Sequence, residues 1–331
     1  MITEKENYLR ILRGEMPEFL PKFNMFEWSM FANPFRKKEK TPEGYDIDEY
    51  GMVHKGNPES MGGVMPVPGV VLLDDITKWR DVIHTPDVES VDWEKFSKEC
   101  LSKKDTVNNP VIMGCGDYFL KLVNFMSFTE GLIALVEEPE ECYALMEYLS
   151  DYYVAMLKKF IYYFKPDVLS LADDIAADQM PFIDLETYRT LVKPHHKRLA
   201  DIARDNDMPI TMHCCGKSEI FIDDWLDMGV SAWEPAQVSN DLINIKKKYG
   251  RRLALCGCWD NTGPISMPGT TDEQLREALI NYVDTFAPNG GFVYCALVAS
   301  GFGEEEHDRK TKICNDVYVD YARDWYSTHK S

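Results

Sequence analysis

From residue 110 to the C-terminus, short apolar runs alternate with longer stretches of helical periodicity. The runs occupy 111–113, 168–171, 209–212, 230–233, 253–256 and 291–295. Helical patterns fall near 128–163, 185–206, 218–228, 240–249, 271–286 and 305–327. Apolar strands alternating with helices predict a parallel sheet covered by helices. Upstream, 3–13 reads as a helix, with Thr3 as cap and Glu6 completing a capping box. Residues 19–24 read as a first strand. Six runs plus this strand suit a closed (β/α)8 barrel of the TIM type better than an open sheet, although no segment stands out as an eighth strand. A doubly wound α/β fold is the alternative, but no Gly-rich phosphate loop follows a strand.

Residues 30–108 break the alternation. They are irregular and rich in Pro, Gly and charge, with one short helix near 76–83. Such a length exceeds an ordinary connection, so the stretch is expected to be an insertion or lid over a site. Neither a low-complexity linker nor a repeat divides the chain, and 1–331 reads as a single domain.

Composition narrows the function classes. The 331 residues are 45% hydrophobic and 27% charged, as in a globular protein with a large core. A barrel of about 250 residues with insertions accommodates that length. The net charge of −19 repels phosphate backbones and anionic membranes, so neither nucleic acid nor membrane is an expected partner. The start, Met1-Ile2-Thr3-Glu4-Lys5-Glu6, is polar and lacks a secretory core, and no run of about 18 apolar residues appears. Nine Cys, an odd number, then predict reduced thiols and a cytoplasmic chain.

The reactive residues cluster where the predicted strands end, which in βα barrels is the catalytic rim. Asp173 and Asp174 follow the run 168–171. His213, Cys214, Cys215 and Gly216 follow 209–212, and Glu234 follows 230–233. Cys256, Cys258 and Asp260 follow the next run, and Cys295 closes the last. In an extended strand, residues two apart project to one side, so His213 and Cys215 can face one ion while Cys214 faces away. Glu234 and Cys295 from neighbouring strand ends complete a tetrahedral set of the N, S and O donors that zinc accepts. Taken alone, the His-x-Cys pair would equally suit a core thiol beside a hydrogen-bonded His. Cys256 and Cys258 are rival ligands, better explained as small residues packing in a barrel.

Asp173 and Asp174 read as a general base or substrate anchor, or as one helix cap and one buried acid. His195 and His196 read as solvated or cap-related, and Glu304, Glu305 and Glu306 as an acidic helix start that complements the dipole. The cluster Phe23, Met25, Phe26, Trp28, Met30 and Phe31 is either core or the wall of an apolar substrate pocket.

The stretch 209–237 resembles the uroporphyrinogen decarboxylase-like superfamily. It carries His213-Cys214-Cys215-Gly216, then Met228-Gly229-Val230 and Trp233-Glu234-Pro235-Ala236-Gln237. Ala172-Asp173-Asp174-Ile175, Pro181-Phe182-Ile183 before Tyr188, and Gly290-Gly291-Phe292 share the likeness. It runs from about residue 3 to the C-terminus and is most specific over 165–300. The resemblance implies a (β/α)8 barrel that is either a decarboxylase or a zinc methyltransferase working with a corrinoid protein. In the methyltransferases an His-x-Cys pair and a distant Cys bind zinc, here His213, Cys215 and Cys295. A more distant relative, cobalamin-independent methionine synthase, has a similar set with a Glu, which implies Glu234 as the fourth ligand. Decarboxylases of porphyrins carry an Arg-rich motif after the first strand. This chain has Asn24-Met25-Phe26-Glu27-Trp28-Ser29-Met30 there, without a cation to clamp carboxylates.

The expected function is therefore zinc-dependent methyl transfer from a small-molecule O-methyl donor to the cobalt of a corrinoid carried by a partner protein. Asp173, Asp174 and Glu234 are the expected catalytic groups. The alternatives are transfer from a methylated corrinoid to a thiol, a metal-free decarboxylase, and a barrel that serves only as a scaffold.

Overall fold

A computed structural model of the protein describes residues 2–23, 32–36, 39–56, 64–298 and 303–329. The chain begins with α1 (Glu4–Leu12), whose Thr3 hydroxyl accepts the Glu6 amide at 3.1 Å. The other half of the expected capping box is replaced by ion pairs, because the Glu6 carboxylate lies 3.7 Å from Arg10 and 3.6 Å from Arg13. The expected first strand contracts to one parallel bridge, Lys22 to Tyr294. Pro21 has no N–H to give; its carbonyl accepts the Tyr294 amide, and Phe23 N–H returns a bond to Tyr294 O.

Residues 46–56 and 64–66 then form a small antiparallel sheet: β1 (Asp46–Ile47), β2 (Val53–Gly56) and β3 (Val64–Pro66). It is followed by α2 (Trp79–Val82) and α3 (Trp93–Leu101). Beyond these, six parallel strands pair in chain order: β4 (Ile112–Cys115), β5 (Val168–Ala172), β6 (Ile210–His213), β7 (Val230–Ala236), β8 (Ala254–Gly257) and β9 (Phe292–Tyr294).

Helices fill every crossover. α4 (Tyr118–Met126), α5 (Phe128–Glu137) and α6 (Pro139–Tyr163) join β4 to β5, and α7 (Leu185–Thr187) and α8 (Lys193–Asp205) join β5 to β6. α9 (Ile222–Met228), α10 (Leu242–Tyr249) and α11 (Asp272–Phe286) serve the next three, and α12 (Glu304–Val317) and α13 (Trp325–Thr328) close the chain. The helix expected over 128–163 is two, divided at Glu138 ahead of Pro139, which sits in the first turn of α6. The patterns near 185–206 and 305–327 each contain a widened π turn, at Tyr188–Val192 and Tyr318–Ala322. Thr271 caps α11 with a complete capping box.

The strands close into a barrel. Ile112, Val168, Ala232, Ala254, Cys256, Val293 and Cys295 pack with Phe23 into one buried interior cluster, which strands of an open sheet would not share. Tyr8, Ile11 and Leu12 of α1 belong to the same cluster. They meet residues near the strand starts, so α1 seals the N-terminal end of the barrel. The far larger second cluster lies between strands and helices. This is the TIM-type α/β fold expected from the alternation.

Two anchors hold the small sheet against the barrel's opposite end. Lys121 of α4 lies 3.7 Å from Asp48, 4.0 Å from Glu49 and 3.8 Å from Asp117, and His54 Nε2 meets Asp48 Oδ2 at 3.1 Å. The amides of Leu72 and Leu73 both donate to Phe125 O, at 3.0 and 2.9 Å. No single described helix is long and apolar enough to cross a membrane.

Candidate metal and substrate site

A cavity of about 940 Å³ opens at the C-terminal ends of the strands. One wall comes from the strand ends: Asp174, His213, Cys215, Glu234, Cys256, Cys258 and Cys295. The opposing material is apolar, from Met52, the strap 64–71, and Leu120, Val123 and Phe128. Phe23 also lines it; Met25, Phe26, Glu27, Trp28, Met30 and Phe31 lie outside the described residues. Among the described residues no Arg or Lys lines the cavity.

His213 ends β6 opposite Glu234 in the register with β7, and Cys215 lies two residues on. His213 Nε2 is 3.9 Å from Cys215 Sγ and 4.0 Å from Asp174 Oδ1, while His213 Nδ1 is 3.7 Å from Glu234 Oε1. Donor atoms of Asp174, His213 and Cys215 fall within 4.8 Å of one another. Ligands of a tetrahedral zinc stand about 3.4–3.8 Å apart, so a small contraction would close this set on an ion. Burial alone would lower the His213 imidazole, but Cys215 and Glu234 beside it outweigh that and raise it well above its ordinary value. The carboxyl groups of Asp174 and Glu234 thus flank the ring from two sides, while burial pushes the Cys215 thiol up. Imidazole, thiol and carboxylate together fit zinc.

The rim is held by backbone contacts. Asp174 Oδ1 accepts the Cys215 amide at 2.8 Å, and the Gln237 side chain accepts the Gly216 amide at 2.5 Å. Gly216 has φ +82°, and a Cβ there would sit 2.5 Å from Ala176 O. Only glycine fits where the segments following β5 and β6 press so closely.

The expected site residues separate into three groups. Asp174, His213 and Cys215 come together, with Glu234 against the His ring. Glu234 is buried, with the Ser170 hydroxyl 3.5 Å from Oε1. Cys295 lines the same cavity outside the three-residue group, and the Cys256 thiol is pushed up by burial and then by Cys295 beside it. Asp173 turns away. Its two oxygens accept the Phe119 and Leu120 amides, both at 2.9 Å, at the start of α4. Burial pushes its carboxyl well above the usual range despite those two bonds.

His195 and His196, expected at the surface, are fully buried on the inner face of α8. His196 Nε2 donates to Gly116 O at 2.7 Å, and His195 packs between the rings of Tyr118 and Tyr143. Asn124, Ser127 and Phe128 line the cavity without having drawn notice in the sequence. The helix pattern around them signals core, and only tertiary placement distinguishes a wall from a core.

Residues 84–296 match the family model of uroporphyrinogen decarboxylase (URO-D). A methylated-thiol–coenzyme M methyltransferase of Methanosarcina mazei is 27% identical over 216 residues, 58% of this chain and 55% of that protein. The chain thus spans about half the length of that curated relative. A solved methyltransferase from Methanosarcina mazei superposes with a TM-score of 0.62 over 96% of this chain and 100% of the other, at 13% identity. That likeness concerns the fold.

Proposed function

The chain belongs to the uroporphyrinogen decarboxylase family, and within it we propose a zinc-dependent methyltransferase that takes a methyl group from a neutral O-methyl compound and delivers it to the corrinoid of a partner protein. The observation that carries the reading is the donor group Asp174, His213 and Cys215 set in the wall of an apolar cavity without a described Arg or Lys. A porphyrin decarboxylase must hold several carboxylates, and this cavity would repel them.

His213 and Cys215 would hold the ion with Glu234 and Cys295, and Asp174 is placed to join or replace a carboxylate ligand. Zinc bound there would supply a Lewis acid to the ether oxygen. The chain's own residues do the rest. The strap 64–71, Leu120, Val123 and Phe128 hold the apolar body of the substrate and keep water out. Asp174 fixes Cys215 through its amide and faces the cavity, where it orients a substrate hydroxyl or relays the proton that the departing oxygen takes up. The ether C–O bond would break with its pair left on the oxygen, which takes up the proton, and a reduced corrinoid on the partner would serve as the methyl acceptor, its electron pair making the new bond. Asp173, behind α4, has no part in this beyond stabilising the wall.

A second reading, transfer from a methylated corrinoid to a thiol, draws support from the curated relative's name, which pairs a methylated thiol with coenzyme M. A sulfonated thiol would bring an anion into a cavity without described cations, which favours the first reading. The test is corrinoid methylation with methoxyarenes, methanol and methylamines beside thiol acceptors, on protein carrying about one zinc. No turnover of any ether, with turnover of a thiol, would sink the first reading.

A further inference from the structure

We propose that Asn124 and Ser127 form the polar recognition edge of the cavity: they hydrogen-bond a neutral hydroxyl or carbonyl on the substrate's apolar body. This rests on the cavity being a substrate site, as proposed above, and names what that substrate carries.

Leu120, Val123, Asn124 and Ser127 of α4 and its end all line the cavity. Their spacing of three, four and seven places them on one helical face. The first two are apolar and the last two polar. Neither the Asn124 amide nor the Ser127 hydroxyl has a hydrogen-bond partner among the described residues. Gln237, by contrast, is tied to the Gly216 amide. Both are half-buried at the cavity wall, so the amide and the hydroxyl stand open to a ligand in an otherwise mostly apolar lining.

Ser127 adds a second, independent observation. It sits at φ +82°, ψ 156°, where α4 and α5 meet at 113°. That conformation belongs essentially to glycine, and a non-glycine residue held there is strained. Glycine would make the same bend without strain. What serine adds is the hydroxyl, set one turn beyond Asn124. With no described lysine or arginine in the lining, an anionic group on the ligand would find no counter-charge there, whereas an uncharged one is matched by an amide and a hydroxyl. Asn124 can donate and accept, and Ser127 likewise, so a phenolic or alcoholic hydroxyl, or a carbonyl, is matched.

Equilibrium binding of 2-methoxyphenol and methoxybenzene to the zinc-loaded full chain, by titration calorimetry, tests this. The wild type is expected to prefer the phenol by roughly tenfold to a hundredfold. Asn124→Leu and Ser127→Gly should each bring that ratio towards one, with thermal melts showing the fold retained. Ser127→Gly guards against misfolding, since glycine relaxes the strained backbone. The inference is overturned by equal binding of the two compounds, by failure of both to bind at millimolar concentration, or by a ratio unchanged in both variants. It is likewise overturned if Asn261→Leu, altering another cavity amide, removes the preference instead. Binding is read without turnover. A preference that depends on Asn124 but is accompanied by no methyl transfer would therefore refute the proposed reaction and leave this inference standing.

Discussion

Asp174 Oδ1 accepts the backbone amide of Cys215 at 2.8 Å and stands 4.0 Å from His213 Nε2. One carboxylate just past β5 thus fixes the backbone of the Cys215 thiol and stands beside the His213 ring that ends β6. Removing such an orienting partner costs about 10–100-fold in metal affinity or activity. Asp174→Asn is expected to lower turnover by that range with little change in melting temperature. Unimpaired turnover in a zinc-loaded Asp174→Asn protein would show that the carboxylate has no role in the chemistry.

Metal content separates the rival ligand sets. Elemental analysis of protein purified without chelator should give about one zinc per chain. His213→Ala and Cys215→Ser should each bring it close to zero, because each removes a donor from the tight group. Cys295→Ser and Cys256→Ser then decide between two thiols that touch. Loss only in Cys295→Ser selects the ligand implied by the family resemblance, and loss only in Cys256→Ser selects its neighbour. No zinc in the wild type, and no uptake on addition, would make the His213–Cys215 pair structural.

Asp173 should behave as a buried cap. Its oxygens take two amides at the start of α4, so Asp173→Ala leaves both donors without partners. The cost is about 1–3 kcal/mol. Denaturant unfolding should show it as a lower midpoint at unchanged slope, with zinc content retained. Wild-type stability in Asp173→Ala would contradict the assignment.

Acid should unfold the protein through α8. Burial lowers both His195 and His196 to about 4, against about 6.5 in an unfolded chain. Both are neutral when folded, and the unfolded state binds more protons between those values. Their contribution is therefore full above pH 6.5 and is lost as pH falls towards 4, on the order of 3 kcal/mol each. His195 has no hydrogen-bond partner at either ring nitrogen, so His195→Phe removes the titration without stranding a partner. The fall in melting temperature between pH 6.5 and 4 should be shallower in that variant. An unchanged acid limb would show that His195 does not titrate on unfolding.

The rim was legible in the sequence because parallel strands buried on both faces leave unbroken apolar runs, and their ends can be read. Asp174, His213, Cys215, Glu234 and Cys295 all fall where those runs stop, and all line one cavity. Asp173 and Asp174 were not separable, since neighbours on a strand point to opposite sides and the phase is set only by packing against α4. His195 and His196 look polar in a helix pattern; their burial comes from rings of Tyr118 and Tyr143 contributed by other elements. Asn124 and Ser127 are hidden in an apolar helix whose bend depends on one residue's φ. Of the expected first strand, the described residues form one bridge, to which Pro21 contributes only its carbonyl.

α1 packs near the strand starts, and the cavity opens at the opposite end. Under the proposed reaction, donor and acceptor would therefore share that end. The small molecule would seat first and the macromolecule would close over it, so that release of the demethylated product would wait for the cover to lift.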